Sequence, residues 1–137
     1  MSLRIGIVGA GANTRSRHIP GFQAIDGVEV VAVCNRTRAS GQKAADEFGI
    51  STVYDDWKEL VQADQVDAVC VGTWPYLHCA ITLASLAAGK HILTEARMAM
   101  DLEEARRMLA ASRASDKVAM IVPAPFYLES EPTLREM

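Results

Sequence analysis

The chain has 137 residues, enough for one compact domain with its own core and too few for two. Half of its residues are apolar and 23% are charged, which excludes collagen-like and disordered classes. With 14 Lys and Arg against 17 Asp and Glu, the formal net charge of −3 leaves no footprint for nucleic-acid binding.

Short β-branched runs alternate with segments of helical period. Arg4–Val8 is a continuous apolar run, and it leads into Gly9-Ala10-Gly11 and a first helix. Val28–Cys34 follows as a second strand, then a helix over Ala39–Phe48 closed by Gly49. Thr52–Tyr54 is a weaker strand candidate. Asp56 and Glu59 form a capping box ahead of Leu60 and Val61. Ala68–Val71 reads as the next strand, and Tyr76–Ala88 as a nearly all-apolar helix stopped by Gly89. After His91–Leu93 comes Asp101–Ser112, where Leu102, Ala105, Met108, Leu109 and Ser112 share one stripe and Asp101 with Glu104 forms a second capping box. Val118–Val122 is the last strand.

Runs that are apolar at nearly every position suit strands covered on both faces, as in a parallel sheet. The alternation predicts a doubly wound, mostly parallel α/β sheet over residues 1–122 in a single domain. Residues 123–137 read differently. Ser130 is a fair N-cap followed by Glu131 and Pro132, so a helix begins near the end of the chain. That pattern leads us to expect the start of a connection to a further domain, with a frayed tail as the alternative. Phe126, Tyr127 and Leu128 lie at that boundary and predict association into a homo-oligomer.

The glycine bend carries the chemistry. Directly after a strand and ahead of a helix, Gly9 permits the tight turn and Gly11 leaves room for a pyrophosphate against the helix N-terminus. Thr14 stands where a third glycine is usual, which predicts looser helix–strand packing. The second strand ends at Cys34, and Asn35-Arg36-Thr37-Arg38 follows. No carboxylate stands between Cys34 and Lys43 to take the ribose hydroxyls of NAD. Arg36 and Arg38 suit a 2′-phosphate instead, so the expected cofactor is NADP(H), with NAD(H) the second choice. The plainer alternative makes both arginines a solvated helix start.

Cys34, Cys70 and Cys79 are far apart, inside apolar runs and without CxxC spacing. They read as reduced, buried thiols of a cytoplasmic protein. His18, His78 and His91 are equally scattered, so no metal site is expected. No apolar run approaches the roughly 18–20 residues of a membrane span, and Ile5–Val8 is too short for a signal-peptide core.

Gly9-x-Gly11, Ile19-Pro20-Gly21-Phe22, Val31–Arg36, Asp67-Ala68-Val69, Thr73, His78, Ala88–Leu93 and Glu95 occur in an order that resembles the Gfo/Idh/MocA oxidoreductases. The resemblance covers the dinucleotide-binding half of such an enzyme and implies a Rossmann fold. It implies that Gly9, Gly11, Asn13, Thr14 and Arg15 surround the pyrophosphate and that Asn35, Arg36 and Arg38 surround the adenosine ribose. Thr73, Trp74 and Glu95 would line the cofactor cleft. His78 matches a motif histidine, either in direct contact with cofactor or packed at the helix start.

Where the family reads Glu-Lys-Pro, this chain reads Glu95-Ala96-Arg97. Alanine cannot exchange a proton, and the Arg97 guanidinium stays charged. It could hold an anionic group or a developing alkoxide, which makes Arg97 the weak catalytic candidate. The resemblance implies hydride transfer to or from a sugar-like or polyol substrate. The loss of lysine favours the alternative, a noncatalytic dinucleotide-binding sensor or pseudoenzyme. A methyltransferase using S-adenosylmethionine shares the glycine bend but wants an acid where Arg36 stands.

Overall fold

The computed structural model describes residues 2–122. Six parallel strands form one sheet in the order β3-β2-β1-β4-β5-β6. They are β1 (Leu3–Val8), β2 (Val28–Cys34), β3 (Thr52–Tyr54), β4 (Ala68–Val71), β5 (His91–Thr94) and β6 (Ala119–Ile121). A π-helical turn, Thr14–His18, runs into α1 (Ile19–Gln23); α2 is Arg38–Phe48 and α3 Trp57–Gln62. A 3-10 turn at Pro75–Leu77 precedes α4 (His78–Ala87), and α5 is Leu102–Ala114. Every expected strand is present, including the weak one at Thr52–Tyr54. The segment 123–137 and its expected helix lie outside the described residues.

Because crossovers are right-handed, the two halves of the chain send their helices to opposite faces. Ile19 of α1 with Ala44 and Ala45 of α2 packs on Ile5, Ile7 and Val33. Leu60 and Val61 of α3 with Ile81 and Leu86 of α4 pack on Val8, Ala32, Val69 and Ile92. Gly49 and Gly89 follow α2 and α4 at φ +68° and +69°, as the sequence predicts.

Several local expectations need correction. Asp56 caps α3 by accepting from the Lys58 amide at 2.9 Å, and the Glu59 amide goes to the Asp56 carbonyl, so no side-chain bond closes the first box. Asp101 does accept from the Glu104 amide at 2.8 Å, but Glu104 reaches back one residue further, to the Met100 amide at 2.9 Å. The α5 stripe is also narrower than predicted. Met108 is buried, while Leu102 and Leu109 are exposed, since α5 packs beside α4 at the edge of the layer. Covering on both faces fails for β6, whose three residues are all exposed. No described helix lies over that half of the sheet on the α1 side, because the second half of the chain turns its helices the other way.

A dinucleotide cleft at the switch point

Strand order reverses between β1 and β4, so the helices that follow these strands leave to opposite faces of the sheet, with the crevice of the switch point between them. Gly9 turns the chain there at φ +92°. A Cβ on Gly9 would come within 2.7 Å of the Thr73 amide nitrogen, so the loop after β4 presses directly on the bend. Gly11 faces open space, its nearest neighbour being Gly72 O at 3.9 Å. The bend is thus closed against the β4 loop at Gly9 and open at Gly11, a cradle with the room a pyrophosphate needs at a helix start.

Gly72 is the residue that sequence reasoning missed. A Cβ there would overlap Thr14 Oγ1 and lie 2.5 Å from Gly9 O. Thr14 is 1% exposed, packed into the room that Gly72 leaves. The close packing usually secured by a third glycine on the helix is thus secured by a glycine on the facing strand end. Its signal was the Gly72-Thr73 pair directly after an apolar run. The looser packing expected from Thr14 does not occur, and the Thr14 side chain lies beneath the bend rather than on its open face.

At the end of β2, Asn35 turns inward, and its Oδ1 accepts from the Ala10 amide at 2.7 Å. It therefore braces the glycine bend. Arg36 is exposed and makes no ion pair among the described residues. Arg38 donates to Asp55 at 2.8 Å, so the tertiary structure brings to this corner a carboxylate that the local sequence lacks. Arg15 pairs with Glu47 of α2.

Across the crevice, Glu95 follows β5, and its Oε1 accepts from Asn13 Nδ2 at 2.5 Å and contacts His18 Nε2. The His18 ring lies stacked on Phe22, with centroids 6.2 Å apart. His18 was absent from the expected site. No spacing signal pointed to it, since residues five apart fall on different faces of an α-helix, whereas the chain here makes a π-helical turn over Thr14–His18.

His78 is wholly buried, its ring nitrogens 2.9 Å from Thr73 O and from Arg97 O. It packs between the loops after β4 and β5 and ties them together. Trp74 is 75% exposed at the mouth, and the Arg97 side chain is exposed beyond a cis Ala96–Arg97 peptide. Burial pushes the Cys34 thiol up to about 11 and the Cys70 thiol up to about 12, so both remain neutral. All three cysteines are buried and unpaired. Among the described residues, no cluster of metal-ligating side chains occurs and no helix is long and apolar enough to cross a membrane.

Doubly wound sheets take dinucleotides where the strand order reverses, and the glycine cradle sits at that point: the chain is a dinucleotide-binding domain. It belongs to the Gfo/Idh/MocA family, whose profile, an oxidoreductase family with an NAD-binding Rossmann fold, matches residues 3–122. A 1,5-anhydro-D-fructose reductase from Ensifer adhaerens is 41% identical over 110 residues, which is 80% of this chain and 33% of that protein. An inositol 2-dehydrogenase from Klebsiella pneumoniae is 36% identical over 112 residues, 81% of this chain and 33% of the relative. A 3-ketoreductase from Actinomadura kijaniata, solved with TDP-benzene and NADP, superposes with TM-score 0.82 at 28% identity, covering 99% of this chain and 42% of that one. The chain spans about a third of the length of the curated relatives it matches.

Proposed function

We propose that this chain binds NADP(H) in preference to NAD(H) and serves an oxidoreductase acting on a sugar-like or polyol substrate. The observation that carries the cofactor choice is at the end of β2. Asn35 is engaged by the bend, no carboxylate follows it, and Arg36 projects without an ion-pair partner among the described residues. A carboxylate would repel a 2′-phosphate, whereas a guanidinium grips it with two parallel hydrogen bonds. The 3-ketoreductase was solved with NADP, and a biliverdin reductase from Synechocystis with NADP+ superposes with TM-score 0.81 at 28% identity. Both support the reading.

The cofactor supplies the hydride chemistry, and the protein's part is to hold and orient it. Gly9 and Gly11 admit the pyrophosphate, and Arg36 takes the phosphate of the adenosine ribose. Thr73 and Trp74 border the crevice on the β4 side. Ala96 can move no proton, and Arg97 serves to hold an anionic group. Calorimetric titration of wild type and Arg36→Glu with NADP+ and NAD+ tests the assignment. The charge reversal should lower the NADP+/NAD+ affinity ratio at least tenfold, and an unchanged ratio overturns it.

The noncatalytic alternative rests on one observation, Ala96 in the lysine position. A panel of sugars and cyclitols, followed by the absorbance of reduced nicotinamide in the protein as it occurs naturally, separates the two. Three buried unpaired thiols support a reducing, cytoplasmic setting. Self-association is the expected partner state. The apolar residues that predicted it, Phe126–Leu128, lie outside the described residues, but Val118, Met120 and Ile121 are exposed on and beside β6. Val118 and Met120 edge an apolar groove of about 410 Å³ that also includes Phe22 and Leu93. Sedimentation showing only monomer at high concentration would remove this part.

A further inference from the structure

The sheet is built from two similar halves, β1–α1–β2 and β4–α4–β5, which meet at the β1/β4 switch point. The residue after β2 and the residue after β5 therefore hold corresponding places on either side of the crevice. In doubly wound domains the first of these places carries the group that takes a ribose diol. Here it is Asn35, occupied by the Ala10 amide. The second place holds Glu95, a carboxylate.

Glu95 is not left to solvent. Its side chain is 18% exposed and that of His18 is 14% exposed. Asn13 Nδ2 and His18 Nε2 converge on a single oxygen, Oε1, while Oε2 accepts no hydrogen bond among the described residues. Both partners come from the helix that leaves the glycine bend. The ring of His18 is set by its stacking on Phe22, with an interplanar angle of 24°. A partly buried carboxylate needs hydrogen-bond donors, and here they hold one oxygen and spare the other.

We propose that His18 is a positioning residue for the nicotinamide half of a bound dinucleotide. By holding Oε1 of Glu95 it presents Oε2 to the vicinal hydroxyls of that half's ribose. Two hydroxyl donors to one carboxylate are charge-assisted hydrogen bonds, the strong kind. The same contact joins the bend that receives the pyrophosphate to the strand end beneath the reacting ring. The inference rests on the reading of the chain as a nicotinamide-dinucleotide domain, and it holds for NADP(H) and NAD(H) alike, since the ribose in question is common to both.

The test is calorimetric titration of the whole chain with NADP+ and NAD+, and with their adenine halves, adenosine bisphosphate and AMP. His18→Ala should weaken the whole dinucleotides about tenfold and leave the adenine halves within about twofold. Glu95→Gln should show the same split. His18→Gln, whose amide can still donate to Oε1, should recover most of the loss. Circular dichroism identifies any variant that does not fold, and the remaining two then decide. An equal loss on whole cofactors and adenine halves, or no loss on either, overturns the role of His18. Wild-type chain that binds none of the four ligands overturns the dinucleotide reading itself, and this proposal with it.

Discussion

Arg38 Nη1 donates to Asp55 Oδ2 at 2.8 Å, joining the first turn of α2 to the loop after β3. Both side chains are mostly exposed, so the pair adds little to stability. Its consequence lies in the charge of the adenosine corner. Asp55 competes with a 2′-phosphate for the guanidinium of Arg38. Asp55→Asn frees that guanidinium and should raise the NADP+/NAD+ affinity ratio about threefold to tenfold at moderate salt, an effect that shrinks as salt rises. Titration of the variant with both cofactors at two ionic strengths checks this. A ratio unmoved at low salt would show that Arg38 does not reach the phosphate.

Gly72 should tolerate no larger residue. In Gly72→Ala the new methyl collides with Thr14 Oγ1 and with the carbonyl of Gly9, which is backbone and cannot swing away. Overpacking of this kind costs about 1–3 kcal/mol or more. Adding Thr14→Ala removes one of the two clashes, so the double variant should recover part of the loss in urea unfolding and not all of it. Full recovery would mean that Gly9 O is not the harder obstacle.

Ser85 gives a prediction of opposite sign. Its Oγ is the single buried side-chain polar atom without a hydrogen-bond partner among the described residues, and it sits inside α4. Ser85→Ala removes an unsatisfied group and improves helix propensity, worth about 1 kcal/mol together. The expected rise in Tm is roughly 3–5 °C. A fall in Tm would reveal that the hydroxyl is in fact satisfied.

Acid should act at the opposite end of the strands from the cleft. Hydrogen bonds from the Arg4 side chain, at 2.7 and 2.9 Å, hold the Asp67 carboxyl down to about 2. Its value in the unfolded chain is about 3.9. The folded value is the lower one, so the stabilisation is fully present above pH ~4 and is lost as pH falls toward 2. Asp67→Asn should flatten the stability profile in that window and leave it unchanged in shape near neutrality. Urea midpoints measured across the acid range decide the point.

The order of elements, the parallel sheet, the glycine bend and the helix stops at Gly49 and Gly89 are determined locally. Hydrophobic period, capping residues and left-handed glycines act within a few residues of themselves, so a linear reading recovers them. The site's finer arrangement is of another kind. Asn35 turns to Ala10, Arg38 meets Asp55, Thr14 fills the room left by Gly72, and His18 reaches Glu95 across 77 residues of chain. The rotation of α5 that leaves Leu102 and Leu109 in solvent and the bare β6 edge belong with these. None is encoded in spacing, because each depends on which loops the strand order brings together at one end of the strands and on which face the crossovers leave uncovered.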